Sequence, residues 1–292
     1  MISIKKNKSA SAISYIRVGG MMREFAECDT VKETLSYLRA HPHFIALGNT
    51  SKILFAFDSC DIPFFRFAKK GVVFHSDSFF AYGGSSLSFV NRALAEKGYT
   101  GFEELSTIPG QIGGSLVNNA SFLDRCISDL AIKILVYRNG EVVWIYPEDA
   151  KFGYRKSALN RENFLILGAE FSLKREERKK IEERIARAIE YRRKVQCETK
   201  GTLGSVFQNR DGIKVGKALD ELGYRGYRFS SSVRLSPHHA NFLSVLPHTN
   251  YHEIYDFITF LSAVLYNNFG TKFQWEIQVI TNGGKRDGNG RQ

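Results

Sequence analysis

Residues 83–120 read GGSSLSFVNRALAEKGYTGFEELSTIPGQIGGSLVNNA, and the reading of this stretch decides how the rest of the chain is understood. Gly83-Gly84, Ile108-Pro109-Gly110, Gly113-Gly114 and Asn118-Asn119-Ala120 punctuate it, with few charges between them. Glycine lets a backbone come close to a ligand and take positive φ. Exposed peptide N–H groups in such turns hold phosphates. Read alone, the same residues also serve as ordinary loop glycines. They fit neither the Gly-x-Gly-x-x-Gly fingerprint nor a phosphate-binding P-loop, so neither standard nucleotide fold is indicated.

On both sides of this stretch, short extended segments alternate with helices, without an internal repeat. Strands are expected at Ser14 to Val18 and Glu24 to Cys28, around Gly19-Gly20. Thr30-x-x-Glu33 is a capping box, opening a helix with Val31, Leu35 and Leu38 on one face. Phe44 to Gly48 reads as a buried strand entering a polar turn, Asn49-Thr50-Ser51-Lys52. Strands follow at Ile53 to Phe57, Val72 to His75 and Phe79 to Tyr82, then a helix from Leu87 to Lys97. Further strands are expected at Ile132 to Tyr137, Val142 to Ile145 and Phe164 to Leu173. A later helix carries Ile254, Phe257, Ile258, Leu261 and Leu265 at helical spacing. The last strand spans Phe273 to Ile280, before a polar tail, 283–292, expected to be disordered.

The 292 residues are 43% hydrophobic and 24% charged, an ordinary globular mix. No apolar run approaches the roughly 20 residues of a membrane span, and the N-terminus lacks a signal peptide's apolar stretch. The expected location is the cytoplasm, without membrane insertion. Cys28, Cys60, Cys126 and Cys197 form no Cys-x-x-Cys pair and read as reduced thiols, with no metal site. His248 and His252, four apart at a helix start, lack the Glu-x-x-His context of a zinc site. The net charge is +11, of which Lys174 to Lys194 supplies +5. Ile181, Ile185 and Ile189 recur there, the stripe of an amphipathic helix with a solvated charged face. Without a recognition helix or aromatic stacking signature, a nucleic-acid partner is not expected. Positive clefts instead concentrate small anions such as nucleotides.

Three further motifs bear polar chemistry. In Phe152-Gly153-Tyr154-Arg155-Lys156-Ser157 an arginine stands beside an aromatic residue, a type that grips carboxylates in a bidentate fork. In Gly204-Ser205-Val206-Phe207-Gln208-Asn209 a serine sits in a glycine turn, though not in a Gly-x-Ser-x-Gly elbow. Glu276 lies among Phe273, Trp275 and Ile277 in an apolar strand, so it is either a partnered structural residue or an acid tuned by burial.

In their order, these motifs resemble the UDP-N-acetylenolpyruvoylglucosamine reductase family. Phe102 to Gly114 is similar to its glycine-rich FAD stretch, and Phe152 to Ser157 to its arginine motif. Gly204 to Asn209 is similar to its serine motif, and Ser236-Pro237-His238-His239-Ala240-Asn241-Phe242 to its histidine segment. The resemblance spans about Tyr15 to Ile280. It implies an α+β fold, with a two-part FAD-binding region of PCMH type followed by a smaller α+β substrate-binding domain. The expected partition is 1–70 and 71–173 for FAD, 174–199 as a basic helical linker, and 200–282 for substrate. It implies a monomeric, NADPH-dependent enzyme of peptidoglycan precursor synthesis acting on a UDP-linked enolpyruvyl amino sugar. Arg155, Ser205 and Glu276 are the implied catalytic residues. Gly48, Asn49, Thr50, Ser51, Lys52, Gly83, Ile108, Pro109, Gly110, Gly113, Gly114, Asn118 and Asn119 are implied for FAD, and Tyr154, Gln208, Asn209 and His239 for substrate. With no His or Cys between Gly83 and Ala120, the flavin is expected to be noncovalent.

The chain departs from that family at several positions. Asn49 and Thr50 stand where it has a glycine pair, Lys52 where it has asparagine, and Ser121 where it has glycine. Thr50 is β-branched and resists positive φ, whereas Lys52 is able to pair with phosphate. Three alternatives stay open: a related FAD oxidoreductase with another substrate, a binding protein with a decayed cofactor site, and a nucleic-acid binder.

Overall fold

A computed structural model describes residues 1–161, 163–195 and 201–286. Cys197 and the end of the basic linker lie outside the described residues, as does the tail beyond Arg286. The chain forms two compact units that do not follow the consecutive partition expected above. One comprises Met1–Lys5, Phe25–Asn49 and Pro63–Arg192; the other comprises Lys6–Glu24, Thr50–Ile62 and Arg193–Gln292.

In the first unit the strand Phe64–Phe67 lies parallel to residues 25–28 on one side and to Ile45–Ala46 on the other. The intervening helix Val31–Ala40 starts where the capping box requires, with Thr30 Oγ1 accepting from Glu33 N at 3.3 Å. A second, five-stranded antiparallel sheet runs in the order Glu141–Ile145, Ala131–Arg138, Leu165–Ser172, Ser78–Tyr82, Val72–Phe74. Its central strand, Leu-Ile-Leu-Gly-Ala-Glu-Phe-Ser, is apolar almost throughout because both faces are covered. Tyr37, Leu38, Phe44 and Phe65 pack against Leu165 and Leu167 from one side. Leu87, Val90, Ile112 and Leu116, from the glycine-punctuated stretch, pack against Phe79, Ile166 and Phe171 from the other.

The helix Leu87–Ala95 is capped by Ser86 Oγ, which accepts from Phe89 N at 3.1 Å. The basic helix spans Arg178–Val195. Its apolar stripe differs from the expected one: Ile181 and Ala188 are buried, seven residues apart, while Ile189 is 40% exposed. The stripe is narrow because Arg184 takes part of the inner face, bonding Glu103 Oε1 at 3.1 Å and Thr100 Oγ1 at 2.9 Å.

In the second unit Thr202–Ser205, Phe242–Val245 and Val233–Leu235 form an antiparallel sheet with Phe242–Val245 central. A smaller sheet sets Ile53–Phe55 parallel to Gln278–Thr281, with Gly284–Arg286 antiparallel beside it. Between them lies the helix Tyr251–Phe269, capped by Asn250 and ended by Gly270 at φ 64°. Its Ile254, Phe257, Ile258, Leu261 and Leu265 are buried with Leu203, Phe207 and Trp275.

Three expectations are corrected here. Ser14 to Val18 is a turn, not a strand: Ser14 N bonds Ala10 O and Arg17 takes φ 57°, so the alternating Ile16 and Val18 are buried by a local bend. The last strand begins at Gln278, and Glu276 sits in the bend before it. Residues 284–286, expected within the disordered tail, form a strand.

Candidate active site

In the first unit the glycines divide into two kinds. Gly83 and Gly84 are needed by packing: a Cβ at Gly83 would stand 2.3 Å from Ile166 O, and one at Gly84 2.7 Å from Phe67 O. Gly48 and Gly114 are not. A Cβ at Gly48 would make ordinary contacts, 3.6 Å from Gln111 Oε1 and 3.8 Å from Gly114 Cα, and one at Gly114 would meet nothing within 4 Å. Neither takes positive φ. Gly48 lies against Gly114, and Gly114 opens onto free space, so packing demands neither glycine, which fits a ligand approaching the backbone closely. Around it Asn49 Nδ2 donates to Pro109 O at 3.1 Å, and Gly113 N donates to Gly83 O at 2.9 Å. Gly110 is held close to Ser115, whose Oγ would lie 2.8 Å from an added Cβ. Ile108 packs on the core and Asn118 caps the helix Ile112–Val117.

Asn119 is spent on the protein. It takes φ 42°, donates from Nδ2 to Gly153 O at 3.1 Å and accepts from Ser128 N at 3.3 Å. With Ser157 Oγ donating to Val117 O at 2.7 Å, it moors the 152–157 turn to the end of that helix. Arg155 stands at the tip with φ 54°. Its Nη1 donates to Ser121 Oγ at 2.8 Å and Ser121 O at 3.1 Å. Its guanidinium lies 5.6 Å from the ring centre of Tyr154, which is exposed. Ser121 thus fixes the arginine, a role hidden in sequence because it depends on a fold-back contact.

In the second unit three strand ends meet. Ser205 ends the strand Thr202–Ser205, Lys52 precedes Ile53–Phe55, and Glu276 precedes Gln278–Thr281. Backbone bonds set their register: Glu276 N donates to Val206 O at 2.7 Å, Gln208 N to Gln274 O at 2.8 Å, and Gln278 N to Lys52 O at 2.8 Å. Lys52 Nζ lies 2.9 Å from Glu276 Oε1 and donates to Ser205 O at 3.0 Å. Glu276 therefore has a basic partner in Lys52. Gly204, at φ +69°, passes close by; a Cβ there would come within 3.0 Å of Lys52 Nζ.

The serine strand is also held from the other side. Asn241 Oδ1 accepts from Phe207 N at 3.0 Å, its Nδ2 donates to Phe207 O at 2.8 Å, and its own carbonyl accepts from Val206 N at 2.8 Å. Asn241 is 3% exposed and was not among the residues expected at the site; its place in the histidine segment was the available signal. His239 Nδ1 accepts from Asn241 N at 3.2 Å. Burial holds the His239 imidazole below its ordinary pKa. Gly216 leaves room for that ring, since a Cβ there would stand 2.6 Å from His239 Cε1. Asn209 Oδ1 accepts from Val215 N at 3.0 Å, opening the helix Val215–Glu221.

Thr50 takes φ 56° although it is β-branched, against the sequence expectation. It is buried, and its Oγ1 accepts from Tyr15 N and donates to Ile13 O, both at 3.0 Å. Ser51 is half-buried beside it.

Comparison with known proteins bears on the same residues. Residues 196–280 match the sequence model of the UDP-N-acetylenolpyruvoylglucosamine reductase C-terminal domain. A UDP-N-acetylenolpyruvoylglucosamine reductase of Prochlorococcus marinus is 31% identical over 196 residues, 67% of each chain. One of Limosilactobacillus reuteri is 27% identical over 287 residues, covering 96% of this chain and 95% of the relative. The fold is that of the crystal structure of UDP-N-acetylenolpyruvylglucosamine reductase from Thermus caldophilus, with a TM-score of 0.81 at 23% identity over 96% of this chain and 99% of that one. With the serine, arginine and histidine motifs in the family's order and a matched C-terminal domain, this chain belongs to the UDP-N-acetylenolpyruvoylglucosamine reductase family.

Proposed function

We propose that this protein reduces UDP-N-acetylglucosamine enolpyruvate to UDP-N-acetylmuramate in peptidoglycan precursor synthesis, with NADPH as reductant and noncovalent FAD. The observation that carries this reading is the meeting of Ser205 and Glu276, remote in sequence, through the Glu276 N to Val206 O bond. Family membership gives the substrate. Among the described residues no helix is long and apolar enough to cross a membrane. We take the enzyme to act as a cytoplasmic monomer.

The residues suit the cofactor: Gly114 presents bare backbone to open space, with Gly48 against it, where a phosphate-bearing ligand would approach. Asn49, Ile108 to Gly110, Gly113 and Asn118 are proposed to contact the cofactor there, while Gly83 and Asn119 hold the surrounding backbone. When bound, FAD carries hydride from NADPH to the terminal carbon of the enol ether.

The protein's share of the chemistry concerns charge and a proton. Addition of hydride to an enolpyruvyl group builds negative charge on the carbon bearing the carboxylate. Arg155, preset by Ser121, is suited to stabilise that charge; one such preorganised contact contributes about 3–4 kcal/mol. Ser205 Oγ donates the proton to that same carboxylate-bearing carbon. Glu276, joined to the serine strand through Lys52, is proposed to help position that hydroxyl. Tyr154, Gln208 and His239 are proposed to border the substrate; the neutral His239 ring offers it no competing charge.

The test is an anaerobic absorbance experiment. The purified protein is expected to show flavin bands that NADPH bleaches and the enolpyruvyl sugar nucleotide restores. In Ser205→Ala bleaching should persist within about twofold, while restoration slows by about 10²–10³. Flavin that bleaches but is not restored in the unsubstituted protein would overturn the substrate assignment. Equal loss of both steps in Ser205→Ala would overturn the proton-donor role.

A further inference from the structure

We propose that Lys52 is a positioning residue for the proton-delivering step, its ammonium clamping the catalytic serine's strand to the Glu276 carboxylate. The inference rests on the function proposed above and deepens it. Lys52 occupies the last position of the polar turn, where a phosphate partner was the expectation from sequence. The structure gives its ammonium other partners: Ser205 O at 3.0 Å and Glu276 Oε1 at 2.9 Å.

The geometry is closed on several sides. Lys52 is tied to the glutamate strand by its own backbone, since Gln278 N donates to Lys52 O at 2.8 Å. The side chain is 24% exposed and that of Glu276 11%, so solvent screens the pair little. Gly204 faces the ammonium: a Cβ there would stand 3.0 Å from Lys52 Nζ, so the lysine end would have to give by a few tenths of an ångström. The ammonium joins the serine's carbonyl directly to the acid's side chain, whereas the backbone bonds beside it, Glu276 N to Val206 O and Gln208 N to Gln274 O, join the two segments only through their main chains. A lysine end group suits this task because three N–H donors radiate from one atom and reach a carbonyl and a carboxylate together.

A structural ion pair and a positioning residue differ in what their loss does. The discriminating experiment follows both half-reactions in Lys52→Met, with Lys52→Gln as a milder variant should the first not fold. Flavin content and NADPH bleaching should stay near those of the unsubstituted enzyme, while the melting temperature falls because Glu276 loses its lysine partner. Flavin restoration by the enolpyruvyl sugar nucleotide should fall about 10- to 100-fold in its maximal rate, with the half-saturating substrate concentration changed less. Lys52→Arg, which keeps the charge, should recover part of that loss. In Lys52→Met combined with Glu276→Gln the loss should not exceed that of Glu276→Gln alone, because Lys52 acts through that carboxylate.

Additive losses would overturn the proposal. So would a fall confined to flavin content or bleaching, which would return Lys52 to a phosphate contact. Unchanged restoration in Lys52→Met would reduce the pair to a structural contact. If the unsubstituted enzyme itself is not reoxidised by this substrate, the proposed function fails first, separately from the role of Lys52.

Discussion

Thr50 holds a left-handed conformation that costs a non-glycine residue about 1–2 kcal/mol. Its hydroxyl makes two hydrogen bonds, to Tyr15 N and Ile13 O, each contributing about 1 kcal/mol. The two effects are of similar size, so a β-branched residue is tolerated where glycine is the usual answer. Gly114 presents the opposite case: the chain itself has no steric or conformational need for glycine there. Gly114→Leu should leave the melting temperature unchanged or raise it, since leucine favours a helix by about 1 kcal/mol over glycine. FAD affinity, followed by flavin fluorescence, should fall at least about tenfold. Normal affinity would show that this glycine does not face the cofactor.

The strand Thr202–Ser205 ends where the serine must be exposed, so its continuation has to be held by something other than a sheet neighbour on each side. Asn241 supplies that support, bonding both the N–H and the C=O of Phe207. A side-chain amide mimics a strand's edge because it carries one donor and one acceptor in a plane. Asn241→Ala leaves two buried backbone groups unpaired and should cost about 2–4 kcal/mol, at 1–3 kcal/mol for each group. Urea unfolding measures this, and a loss below about 1 kcal/mol would mean that water replaces the amide. Flavin restoration should slow alongside, as the serine strand loosens.

Across the whole molecule, stability depends on how buried titratable groups are held. The His239 imidazole is pushed down in the folded protein, chiefly by burial, so the unfolded chain binds its proton more readily. Its contribution to stability is complete above the unfolded value of about 6.5. It is lost as pH falls below that value towards the lower folded pKa. The slope from this one group is at most about 1.4 kcal/mol per pH unit. His239→Asn, whose Oδ1 can still accept from Asn241 N, should flatten the stability curve below about pH 6.5 relative to the unsubstituted protein. Parallel curves in chemical denaturation would remove His239 as the source. The same histidine needs the bare backbone of Gly216, so helix, ring and serine strand depend on one another.

Local chemistry made much of this legible in the sequence. Thr30 caps its helix where the capping box predicts, because a side-chain oxygen at that position satisfies a helix N–H within three residues, and Ser86 and Asn250 cap theirs by the same chemistry. The buried face of Tyr251–Phe269 followed from its period, and the serine, arginine and glutamate motifs carried the family and its activity. Other features required the folded chain. The interleaving of two units within the first seventy residues depends on parallel pairing between remote strands, which leaves no local periodicity. Ser14 to Val18 alternates like a strand yet turns, because burial of Ile16 and Val18 is achieved by a bend. That Lys52 serves the glutamate, that Ser121 grips Arg155 and that Asn241 braces Phe207 are contacts across long loops. Residue type and spacing specify helix caps and apolar faces, whereas the partner of a half-buried charge is chosen only when distant strand ends meet.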